Sequence, residues 1–473
     1  MQKLLGAEKY LRESLSYNGK IEYVKHHLAH MASSYYLSGH KEAALVSLDG
    51  LGEIESTVIG VAKDNKIEII KSVDFPHSLG MLYTSITNYL GFNSGSEGTL
   101  MALSSFGNEN AIVPNGTMKG ESYIDIFNDI VNIEEGEMYT LNLSYFNFPY
   151  TKYGWVSDKF TNIFGPHKKY NDETTEHHRN IAAGLQKIFE KAYIHTIQFC
   201  QKQTNMTNLS LAGGSALNCV ANGKIKSNSD FNDIYIQPAT NDGGTSIGAA
   251  LWLAHQKNKS LPISTYQDTT YLGPSFSNDK IKEVLDLKGV KYKRVDDPSR
   301  EAAILLSEHK VIGWFQGRME FGPRALGNRS ILGNPSKNST KDFINKEVKH
   351  RESYRPFAPS VLQEHVEDYF EVDQDSPFML IACNVNKKNR RKIEAIIHVD
   401  DTARIQIVTE ARNKKYYDLI EYFYQLTSIP VVLNTSFNDK GEPIVCSPED
   451  ALNTFDNTNL DALFLGHYMV TSS

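Results

Sequence analysis

The sequence predicts an α/β fold, because apolar strand patterns alternate with helical patterns along most of the chain. Residues 209–218 have the pattern of a strand, a glycine turn and a helix, and residues 234–257 repeat it. The same alternation restarts after a linker around residues 257–275. A chain of 473 residues is long enough for two or three domains. We therefore predict two domains, residues 1–265 and 266–473.

The elements of the first domain follow from periodicity and turn residues. Residues 1–20 have an amphipathic helical pattern, Gly39 stops the next helix, and the Asp-Asn pair at 64–65 suits a hairpin turn. The segment 108–176 is polar and aromatic with weak periodicity, so we predict an insertion of short elements. The other predicted elements are a short strand in KIEYVKH, a helix in HLAHMASSYYLSG, a strand in AALVSLDG, a hairpin in STVIGVAKDNKIEIIKSVDF, a helix in SLGMLYTSITNYLGF and a helix over 174–203.

The second domain shows the same two periodicities. NDKIKEVLDLKGVKYKRVDD predicts a helix followed by a strand. SREAAILLSEHKVIGWFQGRMEFGPRALGNRSIL predicts a helix, a strand and a loop rich in arginine and glycine. PVVLNTSFN predicts a strand that closes on polar residues, and LDALFLGHYMV predicts a final strand.

Composition narrows the class of protein. Apolar residues make up 40% and charged residues 22%, as in soluble globular proteins, and the net charge of -7 argues against a nucleic-acid binder. The four cysteines are widely spaced, which fits a reducing cytosol better than a zinc ribbon or a disulfide framework. The start has no apolar signal region, and no window approaches the ~18 apolar residues of a membrane span. We therefore predict a cytoplasmic protein with no membrane partner.

Two histidines and two aspartates form the most informative pattern in the chain. His26 and His30 are four residues apart, so a helix places them on one face. Asp49 ends a predicted strand, and Asp242 heads a glycine turn. Two nitrogens and two carboxylates suit iron(II), manganese or zinc. Histidine pairs also occur by chance in helices, and both aspartates could be turn residues, but together the four fit one metal site better than four coincidences.

Two glycine turns predict a nucleotide site. LAGGSALN contains Gly213 and Gly214, NDGGTSIGAA contains Gly243 and Gly244, and each follows a predicted strand and opens a helix. Backbone amides at such a helix start bind phosphate. A tight strand–helix connection would have the same sequence, but two such turns together with SLDGLG favour nucleotide binding.

The C-terminal part is rich in residues that bind anions. Arginine forks suit phosphate and carboxylate oxygens, and arginines beside glycine, proline or strand ends are better placed to line a pocket than solvated surface arginines. The candidates are Arg318, Arg324, Arg329, Lys349, Arg351, Arg355, Arg404, Asn434 and Ser436.

A set of ordered motifs resembles the NodU/CmcH-type O-carbamoyltransferases over residues 20–473. The motifs are HHLAHMASSYYLSG, SLDGLGE, LAGGSALN, TNDGGTSIGAA, EFGPRALGNRSIL, RPFAPSVL, TARIQ and LNTSFNDKGEPIV. This family includes enzymes that carbamoylate antibiotics and nodulation factors. The resemblance implies an N-terminal Kae1-like lobe with the actin/Hsp70-like nucleotide fold and a C-terminal YrdC-like α/β lobe.

The resemblance also implies a reaction in two stages. In the YrdC-like lobe, carbamoyl phosphate is cleaved and its carbamoyl group joins AMP from ATP, which is bound with Mg, to release pyrophosphate. The carbamoyl adenylate then crosses to the Kae1-like lobe, where an acceptor hydroxyl attacks it beside a divalent metal, in this family iron(II). A fused chain suits this chemistry, since water would destroy a reactive adenylate.

The family motifs assign roles residue by residue. The implied catalytic residues are Arg324, Lys349 and Arg355. The implied metal ligands are His26, His30, Asp49 and Asp242. The implied residues for ATP, carbamoyl phosphate and the adenylate are Arg404, Asn434, Ser436, Gly213, Gly214, Asn218, Gly243 and Gly244.

The chain departs from the family pattern at its start. Family members carry an N-terminal stretch before the HxxxH helix that supplies strands, a phosphate loop and a histidine base, and nothing in residues 1–20 replaces it. We therefore expect an incomplete first lobe with unpaired strand edges and exposed apolar surface, covered by a partner chain or in a homodimer. Two smaller departures are Thr99, where lysine is frequent, and Asp401, where glycine is usual.

The predicted function is an ATP-dependent O-carbamoyltransferase acting on a hydroxyl of a sugar or secondary metabolite. One alternative is a truncated or split-subunit nucleotide-binding homologue without independent transfer activity. Another is a relative that modifies tRNA through threonylcarbamoyl adenylate, against which the acidic balance counts. A HypF-type enzyme is a third, against which the cysteine spacing counts.

Overall fold

The structure, a computed structural model, describes residues 2–263 and 270–471. We call these ranges the N-terminal half and the C-terminal half. The predicted domain boundary at 265/266 lies outside the described residues. None of the helices in the described ranges combines the length and the apolar character needed to cross a membrane.

The helices and strands alternate along much of the chain, and the predicted α/β class is confirmed. The α-helices are α1 (Gln2–Ser14), α2 (His26–Ser38), α3 (Leu79–Tyr89), α4 (Glu97–Ser104), α5 (Tyr123–Ile130), α6 (Asp158–Phe164), α7 (Glu176–Thr204), α8 (Cys219–Asn222), α9 (Thr245–Lys257), α10 (Asn278–Lys288), α11 (Pro298–Ser307), α12 (Asn338–Phe343), α13 (Val366–Tyr369), α14 (Lys414–Thr427) and α15 (Pro448–Asp456). The β-strands are β1 (Glu42–Leu48), β2 (Glu55–Lys63), β3 (Lys66–Asp74), β4 (Val131–Asn132), β5 (Thr140–Leu141), β6 (Asn208–Ala212), β7 (Asp233–Ile236), β8 (Lys293–Arg294), β9 (Ile312–Phe315), β10 (Arg329–Gly333), β11 (Ala358–Leu362), β12 (Phe370–Glu371), β13 (Ala382–Val385), β14 (Thr402–Arg404), β15 (Gln406–Val408), β16 (Val431–Ser436), β17 (Ala462–Leu465) and β18 (Tyr468–Thr471).

The N-terminal half is built on a five-stranded sheet with the order β3-β2-β1-β6-β7. Strands β3, β2 and β1 are antiparallel, whereas β1, β6 and β7 run parallel. The carboxyl ends of three parallel strands therefore meet at one edge of the sheet. Asp49, Gly213 and Asp242 all follow these ends, which is why residues so distant in sequence lie together.

Helices cover both faces of this sheet. Helix α2 buries Met31 and Tyr35 against residues of β1 and β2 on one face, and α7 contributes to a larger core on the other. Helix α9 packs tightly on α2, since a Cβ at Gly248 would lie 1.8 Å from the carbonyl oxygen of Ala29. This packing fixes the helix that carries both histidines.

The C-terminal half is built on an eight-stranded sheet with the order β15-β11-β16-β10-β9-β17-β18-β8. Most neighbours are antiparallel, but β11 pairs parallel with β15 and β9 pairs parallel with β17. A three-stranded sheet, β12-β13-β14, lies beside it. Helices α11 and α14 supply Ala303, Leu306, Leu419 and Phe423 to the core of this half.

Most predicted elements are confirmed, and two are wrong. KIEYVKH forms no strand, because it leads directly into α2 and the His26 amide donates to the Glu53 carboxylate. The final strand is instead a hairpin, since Gly466 has a positive φ of 56° and turns the chain between β17 and β18. The aromatic segment 108–176 does form short elements, but its Phe127 and Tyr145 are buried in the main core.

Strand β3 forms one edge of the first sheet, and the side chains of Ile69 and Ile70 on it are 46% and 39% exposed. Apolar side chains near the start of the chain, such as Leu15 and Ile54, are also exposed. The partner chain or homodimer expected from the sequence stays a prediction.

Candidate active site

The four predicted metal ligands converge at the edge of the first sheet. His26 and His30 occupy successive turns of α2, and Asp49 follows β1. The Oδ2 atom of Asp49 lies 2.9 Å from His26 Nε2 and 3.0 Å from His30 Nε2. Asp242 Oδ1, after β7, lies 3.6 Å from each of these two nitrogens. One donor atom from each residue lies within 4.8 Å of all the others.

These distances fit a divalent ion. An ion about 2.1 Å from each donor, with donor–metal–donor angles of about 90–110°, separates neighbouring donors by about 3.0–3.4 Å. The two histidine nitrogens are 3.1 Å apart, and the histidine–aspartate distances run from 2.9 to 3.6 Å. The nitrogen and carboxylate donors match the preferences of iron(II), manganese and zinc, so the residues present can hold such an ion.

The backbone orients Asp49 toward the histidines. Its Oδ1 accepts the amides of Gly50 at 2.7 Å and Gly214 at 3.3 Å, which leaves Oδ2 facing His26 and His30. Burial alone would raise the pKa of Asp49, but the hydrogen bonds with the two histidines outweigh it and hold that pKa below its usual range. The carboxylate is therefore ionised and pre-positioned, as ligand carboxylates generally are.

The first glycine turn supports this group of four candidate metal ligands. Gly213 has a φ of +94°, and a Cβ there would lie 2.0 Å from the carbonyl oxygen of Leu48, so the position requires glycine. The Gly213 amide donates to Thr240 O, and the Gly214 amide donates to Asp49. Both amides of this turn therefore donate hydrogen bonds that connect the ends of the parallel strands.

The other predicted adenylate residues are placed near this edge. Gly243 and Gly244 belong to the short 3-10 turn that begins at Asp242. Asn218 caps α8 by accepting the Ala221 amide, and its side chain exchanges hydrogen bonds with Gln186. Their role in holding an adenylate stays a prediction.

A second candidate site is a cavity of about 410 Å³ between the two halves. Six predicted residues line it, namely Arg324, Arg351, Arg355, Arg404, Asn434 and Ser436. The N-terminal half closes it with residues from α4, the turn after α4, and the start of α8, namely Gly98, Met101, Ala102, Ser105, Phe106, Cys219 and Val220. Phe106 contacts Tyr354 from the other half, with ring centroids 5.9 Å apart.

The cavity carries uncompensated positive charge. The guanidinium groups of Arg324, Arg355 and Arg404 make no hydrogen bond or ion pair with another described residue, and no acidic side chain of the described ranges lines the cavity. Burial lowers the pKa of Arg324 to about 9, and the charges of Arg404 and Arg355 add to this effect. Burial likewise lowers the pKa of Arg404. Such a cluster favours the binding of a multiply charged anion.

Lys349 lies behind this cavity and does not line it. Its Nζ donates to the carbonyl oxygens of Ser436 at 2.5 Å and Asn438 at 2.8 Å, and to Asn438 Oδ1 at 2.7 Å. Burial lowers the pKa of this ammonium, and the charges of Arg351 and Arg355 act in the same direction. The structure thus places Lys349 as a support for the turn that carries Ser436.

Two other arginines from the sequence-based set have structural partners. Arg329 is fully buried, stacks over Phe315 at 3.6 Å, and donates to several backbone carbonyls, including that of Gln316 at 2.7 Å. Arg318 donates to the carbonyl of Leu272. Neither lines the cavity.

Sequence reasoning missed Lys341, His398, Tyr354 and Phe106, all of which line the cavity. His398 begins the HVDDTARIQ segment, in which Arg404 is the anion-binding candidate. No sequence signal marked Phe106, because its place in the cavity depends on how the two halves pack.

One short segment joins the two sites. Gly214 donates to Asp49, one of the four candidate metal ligands, and Cys219 lines the cavity five residues later. Five residues span at most about 18 Å even when fully extended. The first site is therefore within reach of a product that leaves the second.

Comparison with known proteins finds two family models and several relatives that match most of the chain. The family model described as Carbamoyltransferase N-terminus matches residues 5–251, and that described as Carbamoyltransferase C-terminus matches residues 303–472. An uncharacterized protein of Synechocystis sp. is 39% identical over 95% of this chain and 76% of its own length. Nodulation protein NolNO of Sinorhizobium fredii is 35% identical over 95% of this chain, which spans 64% of that protein. Nodulation protein NolO of Bradyrhizobium diazoefficiens is 36% identical over 94% of this chain and 78% of its own length.

Among solved structures, T. kodakarensis HypF is 14% identical with a TM-score of 0.27, over 56% of this chain and 41% of that chain. Full-length HypF in the phosphate- and nucleotide-bound form is 18% identical, also with a TM-score of 0.27, over 37% of this chain and 22% of that chain. These TM-scores are too low to support an argument. The family models and the nodulation proteins, in contrast, match most of the sequence, so the chain belongs to the carbamoyltransferase family, as its ordered motifs predicted.

Proposed function

We propose that this carbamoyltransferase is an ATP-dependent O-carbamoyltransferase that acts on a hydroxyl of a sugar or secondary metabolite. The observation that carries the proposal is the cavity with three unpaired arginines, joined by a short segment to a four-ligand metal cluster. We assign the N-terminal half to a Kae1-like lobe and the C-terminal half to a YrdC-like lobe.

The first stage takes place in the cavity. Carbamoyl phosphate and water give carbamate and inorganic phosphate, and a carbamate oxygen then displaces pyrophosphate from the α-phosphorus of ATP, which is bound with Mg. Arg324, Arg355 and Arg404 bind the phosphate oxygens and stabilise the charge that develops on them. The three side chains are half-buried in the cavity wall, where water screens their charge less than it would on an open surface.

In this stage the N-terminal half shields the carbamoyl adenylate from water. Met101, Phe106 and Val220 place apolar surface over the cavity. Carbamoyl adenylate hydrolyses if water reaches it freely, so this wall favours transfer over loss. The adenylate then moves along the segment 214–219 toward the metal cluster.

The second stage takes place at the cluster. His26, His30, Asp49 and Asp242 would hold a divalent ion, for which we propose iron(II). Such an ion supplies Lewis-acid polarisation of a carbonyl or phosphoryl oxygen. Asp242 is 77% exposed, so the cluster opens to solvent on the side where an acceptor hydroxyl arrives.

Pyrophosphate release tests the first stage. We expect iron-loaded protein to release pyrophosphate from ATP when carbamoyl phosphate is present, and little without it, because carbamate is the attacking group. A coupled colorimetric assay with and without carbamoyl phosphate measures this. Release that is equal in both conditions, or absent from folded protein, would refute the proposal.

A further inference from the structure

His398 lines the cavity and is held by a chain of hydrogen bonds. The Thr402 hydroxyl donates to Asp400 Oδ1 at 2.7 Å, and His398 Nδ1 lies 3.1 Å from Thr402 Oγ1. A hydroxyl has a single hydrogen, so Thr402 accepts from an Nδ1–H group. In a neutral imidazole the hydrogen is then on Nδ1, and Nε2 keeps its lone pair.

The imidazole is neutral in its surroundings. Burial lowers the pKa of His398 to about 4; Asp400 acts in the opposite direction, and the charges of Arg404 and Lys341 add to the lowering. At neutral pH the ring is therefore uncharged, and Nε2 is a hydrogen-bond acceptor.

Among the described side chains that line this cavity, the possible acceptors are His398, Asn434 and the hydroxyl groups of Ser105, Tyr354, Thr435 and Ser436. The side chains of Arg324, Arg355, Arg404 and Lys341 can only donate hydrogen bonds. His398 Nε2 makes no hydrogen bond to another described residue. The Oδ1 atom of Asn434 is also without a partner, but Asn434 is only 1% exposed.

The proposed substrate has a group that needs such an acceptor. Carbamoyl phosphate carries an amide with two N–H donors. Acetyl phosphate has a methyl group in place of the amide nitrogen, and inorganic phosphate has neither an amide nor a methyl group. A buried donor without an acceptor is costly, so donors alone bind the phosphate end but not the amide end. We propose that His398 Nε2 accepts a hydrogen bond from the carbamoyl amide and so selects carbamoyl phosphate over acyl phosphates without an N–H donor. This inference rests on the proposed function.

Two substitutions at His398 distinguish the roles of the two ring nitrogens. His398→Gln keeps a carbonyl acceptor near the position of Nε2, whereas His398→Asn keeps a polar group beside Thr402 and loses the distal acceptor. The measurement is the dissociation constant of each variant for carbamoyl phosphate, acetyl phosphate and inorganic phosphate by titration calorimetry. We expect His398→Asn to bind carbamoyl phosphate about 10-fold more weakly with unchanged affinity for the other two, and His398→Gln to keep the selectivity.

Other results would overturn the proposed role of His398. Equal weakening of all three ligands in folded His398→Asn, or no weakening of any, overturns the role of His398. Wild-type protein that binds carbamoyl phosphate and acetyl phosphate equally well also overturns it, while leaving the proposed function intact. Wild-type protein that binds no carbamoyl phosphate overturns the proposed function and this inference together.

A substitution at Thr402 tests the same hydrogen-bond chain without changing His398, in case the His398 variants fail to fold. Thr402→Val keeps the volume of the side chain but removes the acceptor for Nδ1–H, so the ring can place its hydrogen on Nε2 and lose the acceptor there. We expect selectivity for carbamoyl phosphate over acetyl phosphate to fall by about threefold in this variant. Unchanged selectivity would overturn the proposed hydrogen-bond chain.

Discussion

Replacing Arg355 by alanine is expected to lower carbamoyl-phosphate-dependent pyrophosphate release by about 100- to 1,000-fold. Arg355 lines the cavity, and its guanidinium has no partner among the described residues, so its charge is available to the phosphates. The variant should stay folded, because it breaks no internal hydrogen bond. Initial rates of release at saturating ATP measure the effect.

Two controls make this result specific. Arg391→Ala removes an exposed arginine outside the cavity and should release pyrophosphate at the wild-type rate. Arg355→Lys keeps the charge but loses the planar fork, so we expect an intermediate rate. If Arg355→Ala and Arg391→Ala behave alike, the arginine cavity is not the site of adenylate formation.

Replacing Asp49 by asparagine is expected to abolish carbamoyl transfer while leaving pyrophosphate release close to that of the wild type. Asp49 contacts both histidines of the cluster but does not line the cavity. Loss of a direct ligand should weaken metal binding by more than the roughly 10- to 100-fold that loss of an outer-shell partner costs. Metal content by mass spectrometry and both half-reactions measure the effect.

The chain offers a matched control for this substitution. His40 Nε2 lies 3.1 Å from Asp233 Oδ2 at the opposite end of the same sheet, so Asp233→Asn disturbs a histidine–aspartate pair outside the cluster. This variant should keep its metal and its transfer activity. Equal metal content in Asp49→Asn and the wild type would contradict the assignment of the cluster.

The convergence of the four candidate metal ligands could be predicted from sequence because each position has a local cause. A helix brings His26 and His30 to one face, and a strand end presents Asp49. The parallel order of β1, β6 and β7 then brings Asp242 to the same edge. Local pattern and simple topology were sufficient for this site.

The cavity was predicted only in part, because half of its wall depends on packing between distant segments. Arg324, Arg355 and Arg404 stand in recognisable motifs, whereas Phe106 reaches the cavity only through contact of the two halves. Lys349 and Arg329 show that a charged residue in a motif need not line the cavity. Their charge suggested anion binding, but nearby carbonyl oxygens take their donors in the fold.

Direct detection of carbamoyl adenylate tests the central claim most directly. Wild-type protein is mixed with ATP and carbamoyl phosphate without an acceptor, quenched, and its nucleotides are separated by mass. We predict an enzyme-bound carbamoyl adenylate in an amount equal to the pyrophosphate released in the first turnover, and none in Arg355→Ala. ADP with inorganic phosphate as the only products, or AMP without any carbamoylated nucleotide at the earliest times, would contradict the account.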